Sequence, residues 1–444
     1  MLYYTQVNSP NNFMSSFEPK ISKCIARQIT DSRGMATIEV EIGVTIGLEE
    51  ITAVAAVPSG KSTGSEEALA IRDADGGVLQ VIENVEKKIG PKIMGMALDS
   101  ENIDHAMLLL DTTRNKSHIG ANAMLGVSMA VMRLEAKIKN VPLWKFISEK
   151  TKYTAGRPIL YMNTLNGGAH ADFGLPFQEY ILAVGGETLT ASNEKAQEVF
   201  EKVKQKLVEK KVDYYMGDEG GFAFHSDNME EPFQILTDCA GNDPDIFIAI
   251  DVAASEFYKK VEEGYEMYGK IISRGDLFVM YKSLVEKYNL RSIEDPFYEK
   301  DFPGFEEITK WLGETALIVG DDLTVTNSVL IKKSADRKLA NAMIIKPNQI
   351  GTMVETFDAI REARKYGWKI IVSHRSGETM DSFIADLAVG VGSYAIKAGA
   401  HTQPERKVKY DRLCEIEKEL VADALENKKR KEEEDLERKN LPYY

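Results

Sequence analysis

Six short apolar segments in the second half of the chain each end in an ionisable residue, and the last five end points are nearly evenly spaced. The segments FIAID, RSIE, LIVGD, AMIIK, KIIVSH and YAIK end, in this order, at Asp251, Glu294, Asp321, Lys346, His374 and Lys397. The last five end points lie roughly 25 residues apart, about the length of one strand, one helix and two loops. This spacing predicts a βα barrel, in which the C-terminal ends of the strands meet at one rim.

The six ionisable residues would then face one pocket. Asp251, Glu294 and Asp321 bring three carboxylates together, and these repel one another unless a cation neutralises them. Carboxylate oxygens are the preferred ligands of hard divalent cations. The sequence therefore predicts a metal site at the rim.

Lys346 lies between the carboxylate strands and the histidine strand. Its neighbours would be a divalent metal, His374 and Lys397, and their positive charge would destabilise its ammonium form. We therefore expect the pKa of Lys346 to be lowered, as a lysine general base requires. The alternative is a strand-end lysine whose stem covers apolar surface while its charge reaches solvent.

Composition limits the partners of the protein. The chain has 444 residues and a net charge of −14, which argues against nucleic acid or an anionic membrane surface as the main partner. A small anionic substrate remains compatible with this charge if cations converge locally. Three widely separated cysteines, Cys24, Cys239 and Cys414, suggest a reducing compartment. The chain contains neither a secretory signal pattern nor 18 consecutive apolar residues, so we expect a cytoplasmic protein.

The organisation of the chain changes near residue 150. Residues 1–20 form an N-terminal extension, and 21–150 combine β-type runs at 36–46 and 51–57 with a helical stripe of Met124, Val127, Val131, Leu134 and Ile138. A polar stretch at 148–158 ends this α+β domain, and the βα rhythm fills 151–425. Residues 426–444 form a charged tail, which we interpret as a solvated helix or frayed end. The alternative is a nuclear-localisation signal in the basic cluster at 428–431.

A serine-rich loop, SGKSTGSEEA at 59–68, follows a β-type run. It resembles a phosphate loop, but Ala55 stands where that signature needs its first glycine. We favour a flexible lid or metal-binding loop, and a simple turn with Ser62 or Thr63 near a helix cap is the other possibility.

Three further loops carry candidates for chemistry. NGGAH ends at His170, and GDEGGF holds Glu219 between adaptable glycines; each is a structural turn or, with Glu179, an acid–base candidate. SHRSGET combines His374 with Arg375 and Ser376, which suit a phosphate or carboxylate. The alternative for SHRSGET is a helix cap with a surface arginine.

Eight motifs together resemble those of the enolase family. They are DSRG (31–34), VPSGKSTG (57–64), LNGGAH (165–170), GDEGG (217–221), SIEDPF (292–297), DDLTVTN (321–327), KPNQIGT (346–352) and SHRSGETMDSFIADLAVG (373–390). The resemblance runs in order from about residue 21 to 420. It implies an α/β fold with a smaller N-terminal α+β capping domain before a modified (β/α)8 barrel. It also implies a homodimer, two Mg²⁺ sites and reversible dehydration of 2-phosphoglycerate to phosphoenolpyruvate.

The same resemblance implies roles for individual residues. The ligands of the tightly held magnesium would be Asp251, Glu294 and Asp321, and Ser62 would bind the second ion. Lys346 would remove the C2 proton, while Glu219, supported by Glu179, would protonate the departing hydroxyl. The substrate would be bound by Arg375 and Ser376 at its phosphate, and by His170, Glu179, His374 and Lys397.

Several positions depart from the family pattern. Met35-Ala36 replace Asn-Pro, Lys61 replaces a small residue, Ala169 replaces serine, and Gln403-Pro404 replace an arginine–serine pair. Lys61 would either compete with the second metal or attract the phosphate. An active enolase, a catalytically weak paralogue with a binding or structural role, and an acid-sugar dehydratase or racemase of the wider superfamily therefore remain open. The SHRSGET clamp would have no purpose in the last of these.

Overall fold

A three-stranded antiparallel sheet opens the fold. The structure is a computed structural model that describes residues 18–61, 64–172 and 174–439, without the side chains of His170 and 436–439. The strands, in the order β1-β2-β3, are β1 (Ile21–Thr30), β2 (Ala36–Ile46) and β3 (Glu49–Ala56). Alternate residues of β2, from Ile38 to Val44, are fully buried on one face, as the period of two predicts.

Helices cover the buried face of this sheet. They are α1 (Leu79–Glu83), which continues through a π-helical turn (Asn84–Ile89) into α2 (Gly90–Ile93), and then α3 (Ser100–Leu108), α4 (Ala121–Ile138) and α5 (Leu143–Thr151). The predicted stripe lies on α4, but burial extends around nearly the whole helix. The reason is that α4 packs on β2 and β3 and also contacts a short turn of the barrel, Pro347–Gln349.

Eight strands close the barrel. They are β4 (Ile159–Asn166), β5 (Glu179–Val184), β8 (Ile246–Asp251), β12 (Leu290–Glu294), β13 (Leu317–Gly320), β14 (Ala342–Ile345), β15 (Lys369–Ser373) and β16 (Ala395–Lys397). They neighbour one another in this order, and β16 pairs with β4 to complete the ring. Their apolar side chains fill the interior, among them Ile181, Val319 and Ile371.

One barrel strand runs against the others. β5 is antiparallel to both β4 and β8, while the remaining neighbours are parallel. Its first residue therefore lies at the rim where the other strands end. Short strands lie outside the ring: the hairpin of β6 (Tyr215–Met216) and β7 (Phe222–Ala223) extends the sheet beside β4, and β9 (Tyr258–Lys259), β10 (Gly264–Met267) and β11 (Lys270–Ile272) form a separate sheet.

The outer layer consists of helices that connect the strands. They are α6 (Leu189–Glu209), α7 (Glu231–Ala240), α8 (Arg274–Lys287), α9 (Phe302–Leu312), α10 (Ser328–Asp336), α11 (Met353–Lys365), α12 (Phe383–Gly390) and α13 (Pro404–Lys439). Polar caps start several of them: the side chain of Asn327 accepts hydrogen bonds at the start of α10, and that of Thr352 at the start of α11. None of the helices in the described parts of the chain combines the length and apolar character needed to cross a membrane.

The architecture confirms the predicted fold class, a small N-terminal α+β unit followed by a modified (β/α)8 barrel. Residues 426–439 of the predicted tail continue α13, with mostly exposed side chains over 426–435. The predicted extension falls almost entirely on residues 1–17, which lie outside the described residues, as do residues 440–444.

Candidate active site

The three predicted metal ligands lie at the ends of neighbouring strands. Asp251 is the last residue of β8 and Glu294 the last of β12, and the two are register partners. Asp321 directly follows β13, the next strand in the ring. All three are at least nine-tenths buried. The parallel strands thus bring three carboxylates to one side of the rim.

The ammonium of Lys397 reaches these carboxylates from the end of β16. Its Nζ lies 2.9 and 2.8 Å from the two carboxylate oxygens of Glu294, and 3.2 Å from an oxygen of Asp251. An oxygen of Glu179 is also 3.2 Å away. Burial opposes the charged form, but the surrounding carboxylates, Glu179 first, outweigh it and raise the pKa of Lys397 well above its usual value. Lys397 is therefore a permanent cation of the site.

Lys346 forms a direct ion pair with Asp321. Burial disfavours its charged form, but the negative charge of Asp321 more than compensates, and the pKa of Lys346 is raised. The lowered pKa expected from the sequence assumes a divalent cation beside this amine. The raised pKa reflects the protein's own groups, among whose charges that of Asp321 is foremost, so the expectation stays a prediction.

A residue that the sequence analysis missed holds Asp321 in place. The carboxylate of Asp295 accepts hydrogen bonds from the backbone N–H groups of Asp321, at 3.0 Å, and Asp322, at 2.8 Å. Asp295 has a positive φ of 42°, a backbone conformation that is strained for residues other than glycine. Gln349 also donates to Oδ1 of Asp321 at 2.8 Å. These bonds fix the direction of the Asp321 carboxylate.

Two glutamates and a histidine meet on the other side of the pocket. Ligand atoms of Glu179, Glu219 and His374 all lie within 4.8 Å of one another. Nε2 of His374 is 3.5 Å from Oε2 of Glu219, and Nδ2 of Asn163 donates to the same oxygen at 2.8 Å. Burial, and next the charge of Glu219, raise the pKa of Glu179 well above its usual value. Such a pair of buried carboxyl groups favours retention of a proton.

The turn after β15 carries the predicted phosphate-binding residues. Arg375 forms two hydrogen bonds with Glu67, at 2.9 and 3.3 Å, and a third with Asn348 at 3.2 Å. The hydroxyl of Ser376 accepts from the backbone N–H of Lys61 at 2.8 Å. A Cβ atom at Gly60 would lie 1.9 Å from Nη2 of Arg375, so a larger residue there would displace the guanidinium. The N-terminal domain thus supplies one wall of the site.

The side chain of Lys61, the most prominent departure from the family pattern, is engaged by polar partners. Its Nζ donates to the carboxylate of Asp218 at 2.7 Å and to the backbone carbonyl of Ala169 at 3.1 Å. Ala169 is itself a departure from the pattern. The two unusual positions are therefore in contact, and the charge of Lys61 is paired next to the turn that carries Glu219.

The structure brings together all predicted site residues whose side chains it describes. One pocket is lined by Glu179, Glu219, Asp251, Asp321, Lys346, His374, Arg375, Ser376 and Lys397, and Glu294 joins it through Lys397. Ser62 and the side chain of His170 lie outside the described residues. The same pocket includes Glu67, Gln178, Asp295 and Asp322, to which sequence reasoning gave no role. Asp295 and Asp322 adjoin predicted ligands, and Glu67 belongs to the serine-rich loop at 59–68, so each had a usable signal.

The donor set of this pocket fits a divalent cation. Among the described residues, seven carboxylates but only three cationic side chains line it, and the acids are buried or nearly so. Buried carboxylates in such excess require a further positive charge or bound protons. Oε1 of Gln178 is buried in the pocket without a hydrogen-bond partner in the described structure, and such an oxygen is a further ligand that Mg²⁺ accepts.

The strand ends of this closed βα barrel present buried carboxylates, two lysines and a histidine. This arrangement defines a barrel enzyme with a metal-assisted acid–base site. Comparison with known proteins narrows this class. Residues 21–147 match the family model "Enolase, N-terminal domain", and residues 155–434 match "Enolase, C-terminal TIM barrel domain".

Relatives with the name enolase match nearly the whole chain. The protein of Methanopyrus kandleri is 42% identical over 420 residues, which cover 91% of this chain and 97% of the relative. That of Thermococcus gammatolerans is 43% identical over 415 residues, with 90% and 95% covered. That of Elusimicrobium minutum is 44% identical over 416 residues, with 90% and 96% covered. The chain belongs to the enolase family, and its enzyme class is that of phosphopyruvate hydratase, a lyase.

Proposed function

We propose that the protein catalyses the magnesium-dependent, reversible dehydration of 2-phosphoglycerate to phosphoenolpyruvate, a step of glycolysis and gluconeogenesis. The observation that carries this proposal is the composition of one pocket. An amine, Lys346, and a carboxyl group, Glu219, line it together with a phosphate-type fork, Arg375. Removal of a proton, loss of a hydroxyl and recognition of a phosphate need these three groups.

Lys346 is the proposed base. The proton at C2 of 2-phosphoglycerate is α to a carboxylate and very weakly acidic, so its removal requires fixed positive charge near that carboxylate. Lys397 supplies such a charge, because its neighbours hold it protonated. Lys346 must itself be neutral to accept the proton, and its ion pair with Asp321 must be exchanged for another partner of Asp321 before it can act.

Glu219 is the proposed acid, with Glu179 as its support. Hydroxide is a poor leaving group, and a carboxylic acid that donates a proton to the C3 oxygen makes its departure possible. The raised pKa of Glu179, caused by burial and by Glu219, supports a proton shared between the two groups. His374, whose pKa is lowered well below its usual value by burial, stays neutral beside them.

Asp251, Glu294 and Asp321 would hold one Mg²⁺, and Ser62, which lies outside the described residues, would contribute to a second. When bound, magnesium supplies Lewis-acid stabilisation for the negative charge that grows on the substrate carboxylate. Arg375 and Ser376 would bind the phosphate, with Glu67 as the carboxylate that the phosphate displaces from Arg375. His170 would be a further substrate contact.

The setting of the enzyme forms part of the proposal. We expect a homodimer in the cytoplasm that has 2-phosphoglycerate and phosphoenolpyruvate as its ligands and neither nucleic acid nor a membrane as a partner. The net charge of −14 supports the last point, because anionic polymers and surfaces would be repelled. The domain limits at 21–150 and 151–425 are likewise retained as a proposal.

A single assay tests the function. The purified protein is incubated with 2-phosphoglycerate, and the enol product is followed by its ultraviolet absorbance with Mg²⁺ and after chelation. Product formation that requires Mg²⁺ is expected. If the protein binds Mg²⁺ and phosphoenolpyruvate but forms no product, it is a catalytically weak paralogue and the proposal fails.

A further inference from the structure

The guanidinium of Arg406 lies directly behind the site. Arg406, in the first turn of α13, is fully buried and among the largest such side chains of the protein. Nη1 donates to the carbonyl of Arg375 at 2.7 Å, and Nη2 donates to that of Ser376 at 2.9 Å. No carboxylate of the described residues pairs with it in a salt bridge. A buried cation with neutral acceptors alone is costly, so its position calls for a functional explanation.

The guanidinium of Arg406 also contacts the imidazole of His374. Nη1 of Arg406 contacts Nδ1 of the imidazole within hydrogen-bond distance. A guanidinium has donors only, so Nδ1 must be the acceptor. The proton of a neutral ring is then on Nε2, the nitrogen that lies 3.5 Å from Oε2 of Glu219. Arg406 thereby determines that the ring nitrogen nearest to Glu219, Nε2, is the one that carries the proton.

The surrounding backbone is shaped to permit this contact. Gly399 has a φ of +74°, and a Cβ atom there would lie 2.7 Å from Cδ of Arg406 and 3.0 Å from Cε1 of His374. Only glycine leaves room for the two side chains to meet. Gln403 accepts from Nε of Arg406 at 3.2 Å and donates to the carbonyl of Asp218 at 3.2 Å. This glutamine stands where the family pattern has arginine, so the support of Arg406 is specific to this chain.

We infer that Arg406 is a positioning residue that holds His374 in the Nε2–H tautomer, presents this N–H to Glu219, and fixes the carbonyls of the Arg375–Ser376 turn. Oε2 of Glu219 accepts from Asn163 at 2.8 Å, and Nε2 of His374 lies 3.5 Å from the same oxygen. The kinetic consequence rests on the proposed function, whereas the tautomer does not.

Nuclear magnetic resonance of the full-length protein with ¹⁵N-labelled histidine tests the inference. Long-range ¹H–¹⁵N correlations distinguish Nδ1–H, Nε2–H and doubly protonated rings, and comparison with His374→Gln identifies the signal of His374. The unmodified protein should show a neutral Nε2–H ring between about pH 6 and 8, the range in which an ordinary histidine titrates. In Arg406→Met, which has no donor, the Nε2–H pattern should be replaced by an Nδ1–H or mixed pattern.

Kinetics complete the test. Arg406→Met should lower kcat roughly 100-fold, the scale of lost general acid catalysis, and Arg406→Lys, which keeps one donor, should recover part of it. The matched control is Arg412→Met on the same helix, where Arg412 pairs with Asp386 and Glu419; it should destabilise the protein and leave the His374 signals unchanged.

Two results would overturn the inference. The first is an Nδ1–H ring in the unmodified protein, a measurement that does not depend on folding of a variant or on enolase activity. The second is an unchanged His374 pattern in folded Arg406→Met or Arg406→Lys. Absence of turnover in the unmodified protein, together with an Nε2–H ring, would contradict the proposed function and leave the tautomer assignment standing.

Discussion

Glu179 and Asp251 are register partners, although one is the first residue of its strand and the other is the last. The reversal of β5 produces this meeting, since it brings the start of one strand to the rim where the others end. A carboxylate on β5 thereby faces the predicted magnesium ligands on one side and Glu219 on the other. Lys397 bridges Glu179 and Asp251 at 3.2 Å from each.

Glu179→Gln should inactivate the enzyme without unfolding it. The amide keeps the size of the side chain but cannot share a proton with Glu219, whose charge is part of the reason for the raised pKa of Glu179. We expect kcat to fall by roughly 10²- to 10⁴-fold, the range for general acid–base catalysis. Steady-state kinetics with 2-phosphoglycerate measure this. Glu187→Gln, the same change at an exposed site after the same strand, is the control, and a similar kcat for both variants would contradict the prediction.

Lys346→Ala should abolish exchange of the C2 proton. The amine is the proposed base, so 2-phosphoglycerate incubated in D₂O with this variant should retain its C2 proton, with exchange slowed by at least roughly 10²-fold. Proton NMR of the substrate follows the exchange directly. Lys369→Ala, at the exposed start of β15, should exchange like the unmodified enzyme. Undiminished exchange in Lys346→Ala would assign the base to another group.

The regular spacing of strand ends made much of this site predictable. Parallel strands joined by helices of similar length end at one rim, so residues such as Asp321, Lys346 and His374 converge for a purely geometric reason. The direction of β5 has no comparable signature, because a strand has the same apolar pattern in both directions. Glu179 was therefore a candidate through its place near the glycine-rich loops and through the family resemblance, and not through the spacing of strand ends.

Contacts between distant segments were beyond prediction from spacing. Glu67 belongs to the N-terminal domain and binds Arg375. The serine-rich loop at 59–68 that contains it was a candidate for chemistry, but nothing in the loop indicated that Glu67 pairs with an arginine of the barrel. Asp295 is adjacent to a predicted ligand, yet its function as an acceptor for two backbone N–H groups depends on a positive φ. Such roles follow from three-dimensional packing, for which a single sequence carries no periodic signal.

Asp104 makes the stability of the protein depend on pH. Its carboxylate is buried at the contact between α3 and α11, and it accepts from Ser128 at 2.8 Å and from the backbone N–H of Val354 at 3.0 Å. Burial raises its pKa to about 7, and the charge of Glu355 adds to this. The folded state thus holds a proton that the unfolded chain releases near pH 4. The stabilising contribution is complete below that pH and is lost as pH rises towards and through 7.

Asp104→Asn removes this titration. Relative to the unmodified protein, its free energy of unfolding should increase by about 2 to 3 kcal/mol between pH 5 and pH 8, given about 1.4 kcal/mol per pKa unit. Urea unfolding of both proteins at the two pH values gives the difference, in which other titrating groups cancel. Glu101→Gln, on the exposed side of the same helix, should show no such trend. A pH-independent difference for Asp104→Asn would refute the assignment.

Lys61→Ala should leave the magnesium requirement unchanged. A free ammonium beside the second ion would compete with it, but Nζ of Lys61 is bound by Asp218 at 2.7 Å and by the Ala169 carbonyl at 3.1 Å. Both side chains are partly exposed, so their ion pair contributes about 1 kcal/mol or less, and kcat should change by less than about fivefold. Magnesium titrations of activity measure the half-saturating concentration in each variant.

Asp218→Asn provides the opposite perturbation. It leaves the ammonium of Lys61 without its carboxylate, and an unpaired cation near the site should raise the half-saturating Mg²⁺ concentration. The double variant Lys61→Ala/Asp218→Asn removes that cation as well and should return the requirement towards the original value. If Lys61→Ala alone lowered the requirement instead, the lysine would compete with magnesium despite its ion pair. Equal requirements in Asp218→Asn and the double variant would show that the ammonium has no influence on the metal.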